Sequence, residues 1–260
     1  MIRRDWTSAE GQTCWLLLPQ VEHARLAGAL MKHWDWKLTG VALELRDEVL
    51  CAIDHHDAGW ETWDSAPQTD RRTGQPLAFD EMPIPSSLAI WRQSIEAAEA
   101  LGNLAPYMVA SHFSALLART TQPRSDDGSA PLLVAGFQSD SDQQRDTWLR
   151  DWQAEDPERH TRAAAHRAVA WLQFSDALSL WFCRSQRRKR HIARPPMGPP
   201  VTFSPVDAER IDVHPWPFGP DTVDLTAQGR AVPQDNYASA ETLSTAPTTV
   251  VTLRWRLSPG

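Results

Sequence analysis

Apolar residues recur along this chain with two periods, and the point where one gives way to the other divides it. Thr13–Leu18 is a short apolar run closed by Pro19, which predicts a strand. From Val21 to about Trp34 apolar residues return at 26, 27, 30 and 34, the spacing of a helix. A second helix is predicted from about Leu45 to Trp63. Residues 65–87 hold several Pro, Asp and Gly and read as a long surface loop, the kind of segment that often serves as a lid. Helices follow at about 86–101, 104–119 and 139–154, with a polar loop over 120–130. The clearest helical pattern runs from about Pro157 to Gln186.

After the proline-rich stretch from Arg194 to Pro200 the period changes to two. Val223, Leu225 and Ala227 share one face, and so do Val251, Leu253, Trp255 and Leu257. The expectation is a mainly α protein with a small antiparallel sheet. Residues 1–194 form the helical domain with its N-terminal strand, and residues 195–260 form a β-rich appendage. So few large apolar groups would fold poorly alone. The tail is expected to pack on the helical body and to pair with the Cys14–Leu18 strand.

Polar side chains interrupt the helical stripes. Asp176 stands among Val169, Leu172, Leu180 and Cys183, and His56 among Val49, Ala52, Ile53 and Trp60, with Asp57 beside it. His23 lines up with Leu26, Ala27 and Leu30, and His112 lies between Met108 and Leu116. Singly, each reads as a hydrogen-bonded core histidine or a capped or paired aspartate. Together they include two carboxylates in an apolar setting, each costing several kcal/mol unless paired. A divalent cation held by two His and two Asp removes that cost.

Composition narrows the functional classes. A net charge of -7 argues against a general nucleic-acid or anionic-membrane binder, since such affinity comes from Lys and Arg. The local exception, Arg187-Arg188-Lys189-Arg190, reads as cations favoured at a helix C-terminus. Cys14, Cys51 and Cys183 are odd in number, far apart and each in an apolar stretch, so reduced core thiols and a cytoplasmic location are expected. No apolar run approaches the length of a membrane span. The thirteen tryptophans read mainly as core aromatics.

His23, the doublet His56-Asp57, and Asp176 followed by Ala177-Leu178-Ser179 occur in the order H, HD, D. This pattern resembles the HD-domain superfamily of metal-dependent phosphohydrolases. More narrowly, GQTCWLLLPQVEHARLAGAL, AIDHHDAGWETWD and HPWPF look like a bacterial family of HD-like proteins of uncharacterised function. The resemblance implies an HD-domain-like helical bundle with His23, His56, Asp57 and Asp176 as metal ligands. The sequence departs from it at Trp60, where many HD phosphodiesterases carry Lys.

Such ligands suit Mn, Fe, Co, Ni, Zn or Mg. The implied activity is phosphoric-ester hydrolysis on a small phosphorylated molecule or nucleotide. Asp57 or Glu61 would accept a proton, and His112 would donate to phosphate or serve as a further ligand. Glu61 and Asp64 read otherwise as a solvated acidic face or as partners of Arg, and Arg25 points away from His23. The alternative is a degenerate HD-like ligand- or partner-binding protein with a structural metal. An iron-dependent oxygenase would need more His ligands than these.

Overall fold

The computed structural model describes residues 1–119, 130–184 and 189–260. Most of the polar loop expected over 120–130, and Arg187 and Arg188 of the basic run, lie outside the described residues. The chain opens with strands β1 (Ile2–Thr7) and β2 (Thr13–Leu18). Helices α1 (Gln20–His33), α2 (Arg46–Asp54), the short α3 (Glu61–Ser65) and α4 (Ile84–Glu99) follow, then α5 (Leu104–Arg119), α6 (Ala130–Glu155) and α7 (Arg162–Cys183). Strands β3 (His191–Ala193), β4 (Val201–Pro205), β5 (Arg210–His214) and β6 (Val223–Pro233), the short helix α8 (Ala240–Ser244) and strand β7 (Thr249–Pro259) complete it.

Local chemistry sets several boundaries. Pro19 ends β2 and stands at the N-cap of α1, where its missing N–H costs nothing. Thr161 caps α7, its hydroxyl accepting from Ala164 N at 3.2 Å. α5 spans the residues that the periodicity predicts, whereas α6 starts nine residues before Ser139.

The sheet departs most from expectation. Its order is β1-β2-β6-β7-β5-β4-β3, seven strands among the described residues. β5 runs parallel to β7 and the other pairs are antiparallel. β2 pairs with β6, Leu16 opposite Ala231. Helix takes 51% and strand 21% of the structure, so the fold is mixed α/β with a curled sheet. The expectation of a mainly α protein with a small antiparallel sheet is overturned, and with it the HD-domain-like helical bundle. Leu16, Leu18, Phe203, Val213, Leu225, Trp255 and Leu257 belong to the same core as the helices, so the sheet is a full layer of that core.

The missed strands are short or carry charge. β1 reads IRRDWT, with Arg4 buried in it, and β3–β5 are three to five residues long between prolines. Neither gives a run long enough to show alternation.

Six tryptophans, Trp34, Trp36, Trp60, Trp152, Trp171 and Trp255, are buried. Trp171 is fully enclosed, packs edge-on to Trp34 and Phe174, and donates its indole N–H to the Thr39 carbonyl at 2.9 Å. Cys14 and Cys183 are buried and Cys51 half-buried, all as free thiols. Among the described residues no helix is long and apolar enough to cross a membrane.

Trp171→Ala is expected to cost about 3–5 kcal/mol in urea unfolding, because it opens a cavity and strips the Thr39 carbonyl of its donor. Leu132→Ala, at a site 78% exposed, should stay within about 0.5 kcal/mol. A Trp171→Ala loss below about 1 kcal/mol would contradict the packing described.

Candidate metal centre

Three helices and one turn supply the site. His23 comes from the first turns of α1, His112 from the middle of α5 and Asp176 from the middle of α7, all buried as their apolar stripes require. His56 and Asp57 come from elsewhere than expected. The helix predicted over 45–63 ends at Asp54, the chain turns through His55–Asp57, and a 3-10 turn at Ala58–Trp60 leads into α3. On a continuous helix two adjacent side chains diverge. The turn lets both converge, with His56 Nε2 3.6 Å from Asp57 Oδ2. Gly59 holds the turn against α4, its N–H donating to Ser94 Oγ at 3.0 Å. A Cβ there would lie 2.4 Å from the Ile90 carbonyl oxygen.

Four ligand-type atoms face one another. His23 Nε2 lies 3.4 Å from Asp57 Oδ2 and 3.2 Å from Asp176 Oδ1. His56 Nε2 lies 3.6 Å and 3.5 Å from the same two oxygens. Ligands about 2.0–2.2 Å from one divalent ion sit about 2.8–3.6 Å from their neighbours around it, so these separations fit a shared ion. His112 adds a second group with His56 and Asp176, its Nε2 4.0 Å from Asp176 Oδ2.

Hydrogen bonds on the far side of each ring decide what the inner nitrogens carry. His56 Nδ1 lies 2.8 Å from the Ile53 carbonyl, which can only accept, so Nδ1 bears the proton. Ser179 gives its single hydroxyl proton to the Asp176 carbonyl at 2.9 Å and accepts from His23 Nδ1 at 2.7 Å. In the neutral rings both Nε2 atoms therefore hold lone pairs, and neither makes a directed hydrogen bond. Lone pairs aimed at buried carboxylates require a cation between them. The residues present thus fit a metal ion.

The electrostatics agree. Burial opposes a charge on His23, yet the carboxylates of Asp176 and Asp57, close enough to attract its charge and to accept a proton carried on Nε2, raise its pKa to about 9. His56 is also raised against burial, chiefly by Asp57 and Asp176. Asp57 and Asp176 are lowered despite burial, Asp57 mainly by His56 and His23, and Asp176 by the three imidazoles around it. Burial lowers His112 to about 4, so it stays neutral.

The other candidates lie apart. Glu61 is exposed at the start of α3, outside these His/Asp groups. Asp64 is not on a solvated face: it is an enclosed partner of the Met1 amino group at 2.8 Å and accepts from Gln20 N at 2.5 Å. Arg25 pairs with Glu22. The 65–87 loop is fastened down, Arg3 gripping Glu81, Arg184 meeting Asp80 at 3.1 Å, and Phe79 lying edge-on to Trp60. Ser179 enters the sequence reading only as part of the motif after Asp176, without its role of holding the His23 ring. Its place one turn beyond Asp176 on the same buried stripe was the available signal.

A family model described as "Protein of unknown function (DUF3891)" matches residues 5–234, and the chain belongs to that family. No curated protein and no solved structure matches it. Family membership and the seven-stranded sheet together replace the assignment to the HD-domain superfamily.

A raised histidine pKa makes a pH prediction. Without metal, the stabilisation from the His23 proton is complete below about pH 6.5 and disappears as pH rises through about 9. Chelator-treated protein should therefore lose up to about 3 kcal/mol over that window. Metal-loaded protein, where the ion replaces the proton, should not. Thermal melts across the range test this, and parallel curves with and without chelator would contradict it.

Proposed function

We propose that this chain is a metal-dependent hydrolase of phosphoric esters, acting on a small phosphorylated molecule or nucleotide. The observation that carries the reading is the convergence of His23 Nε2, His56 Nε2, Asp57 Oδ2 and Asp176 Oδ1, with both imidazoles oriented from behind. These four residues would hold the ion. Mixed imidazole and carboxylate donors favour Mn, Fe, Co, Ni or Zn, with Mg the weaker fit.

A divalent ion there supplies Lewis acidity toward a water and a phosphoryl oxygen. The chain's own residues do the rest. Asp57, with Oδ2 turned to the imidazoles, accepts the proton of the attacking water on Oδ1. His112 stays neutral and so contributes a hydrogen bond rather than charge. Asp176, with a side chain 12% exposed, is the most accessible of the four and marks the side of approach. Ser179 and the Ile53 carbonyl keep the two rings from turning.

A second reading is favoured by how deeply the ligands lie: His23, His56 and Asp57 are almost wholly enclosed. In it the ion is structural and the protein binds a ligand or partner without turnover.

One experiment separates them. Protein loaded with Mn, Ni or Co should release phosphate from p-nitrophenyl phosphate or nucleotides. Asp57→Asn should lower that rate at least about a hundredfold. A lowered melting temperature on metal removal, with no turnover on any of these substrates, would refute the hydrolase and support the structural ion.

A further inference from the structure

Where β2 runs into α1 and β6 passes alongside, a cavity of about 300 Å³ is lined by Met1, Leu17, Glu22, Asp64, Gly229 and Arg230, among others. Four of these carry charge, and three are committed. The Met1 ammonium meets Asp64 Oδ1 at 2.8 Å, and Asp64 Oδ2 accepts from Gln20 N. Glu22 pairs through one oxygen with Arg25 at 2.5 Å and accepts from Gln228 N at 2.9 Å through the other.

Arg230 is the remaining charge. Its Nη2 is buried and has no hydrogen-bond partner among the described residues. Asp64 acts on it through space but spends both oxygens elsewhere. A guanidinium cannot shed its charge in a protein, and a charged donor left dry costs more than a neutral one. Its backbone is fixed on both sides: β6 places Arg230 opposite Leu17 of β2 and opposite Val250 of β7. The fork is thus anchored in a central strand, facing a space whose two carboxylates, Glu22 and Asp64, are each engaged with other partners.

We propose that this cavity binds the oxyanion of a small acidic molecule, a phosphate or a carboxylate, with Arg230 as the recognising cation. The planar fork suits either group through two parallel hydrogen bonds. The volume lies at the lower end of small-ligand pockets, which suits a compact molecule. The proposal stands apart from the hydrolase reading, since none of the four metal-ligand candidates lines the cavity.

Calorimetric titration of the purified protein with inorganic phosphate, and separately with acetate, tests it and tells the two groups apart. Wild type should bind at least one of them. Arg230→Gln should weaken that binding at least about tenfold. Val250→Asp guards against misfolding. Val250 is 74% exposed and lies across the strands from Arg230, so a carboxylate there would occupy the guanidinium and expel the anion with similar loss. No binding by wild type, or phosphate binding that both variants leave unchanged, would overturn the proposal; the latter would place the anion elsewhere, for instance at the His/Asp centre.

Discussion

Two carboxylates and two imidazole lone pairs share a few ångströms of enclosed space near the middle of the helical layer. Left alone, that arrangement is repulsive in low dielectric, where charge without compensation costs several kcal/mol. The surroundings do not let it relax. His23, His56 and Asp176 sit among fully buried Leu26, Ile53 and Leu172, and rings held from behind cannot swing away. A cation at the centre, either a proton on His23 or a metal ion, is the condition on which the packing of α1, α2, α5 and α7 rests. The raised His23 pKa is the same constraint seen with the proton in that place.

The rest of the architecture serves this centre by positioning backbone. The sheet gives α1 and α7 a broad apolar floor, with Leu16, Leu18, Leu225 and Trp255 in the shared core. On its other face a smaller cluster of Met1, Leu17, Val232, Tyr237 and Leu243 joins the N-terminal strands to the C-terminal segment. The 65–87 segment runs past Trp60, three residues beyond Asp57, and is pinned at Glu81 and Asp80. Trp60 is thereby a packing residue, in a cluster with Met82 and Ile90.

The inward positions of His23, His112 and Asp176 were legible in the sequence because each lies on a long helix, where a period of 3.6 shows which face turns inward. The local structure at His56 and Asp57 was not. Periodicity through Ile53, His56 and Trp60 mimics a continuous helix, and the break depends on Gly59 packing against α4, a tertiary contact with no signature in spacing. The sheet was hidden for a different reason. Arg4 fills an inward position of β1, and β3–β5 alternate over too few residues for the pattern to stand out in the sequence. Family resemblance carried by four residues and three short segments said little about the stretch from His191 to Pro259 that builds five of the seven strands.

The central claim is that these four side chains surround a cation and that a metal ion can take the place of the His23 proton. Titrating metal-free protein with Mn, Ni, Co or Zn at pH 7, in buffers of different ionisation enthalpy, measures ion uptake and proton release together. The account predicts about one ion per chain with about one proton released, and loss of both in His56→Ala. Uptake that releases no proton, or that His56→Ala leaves intact, would contradict it.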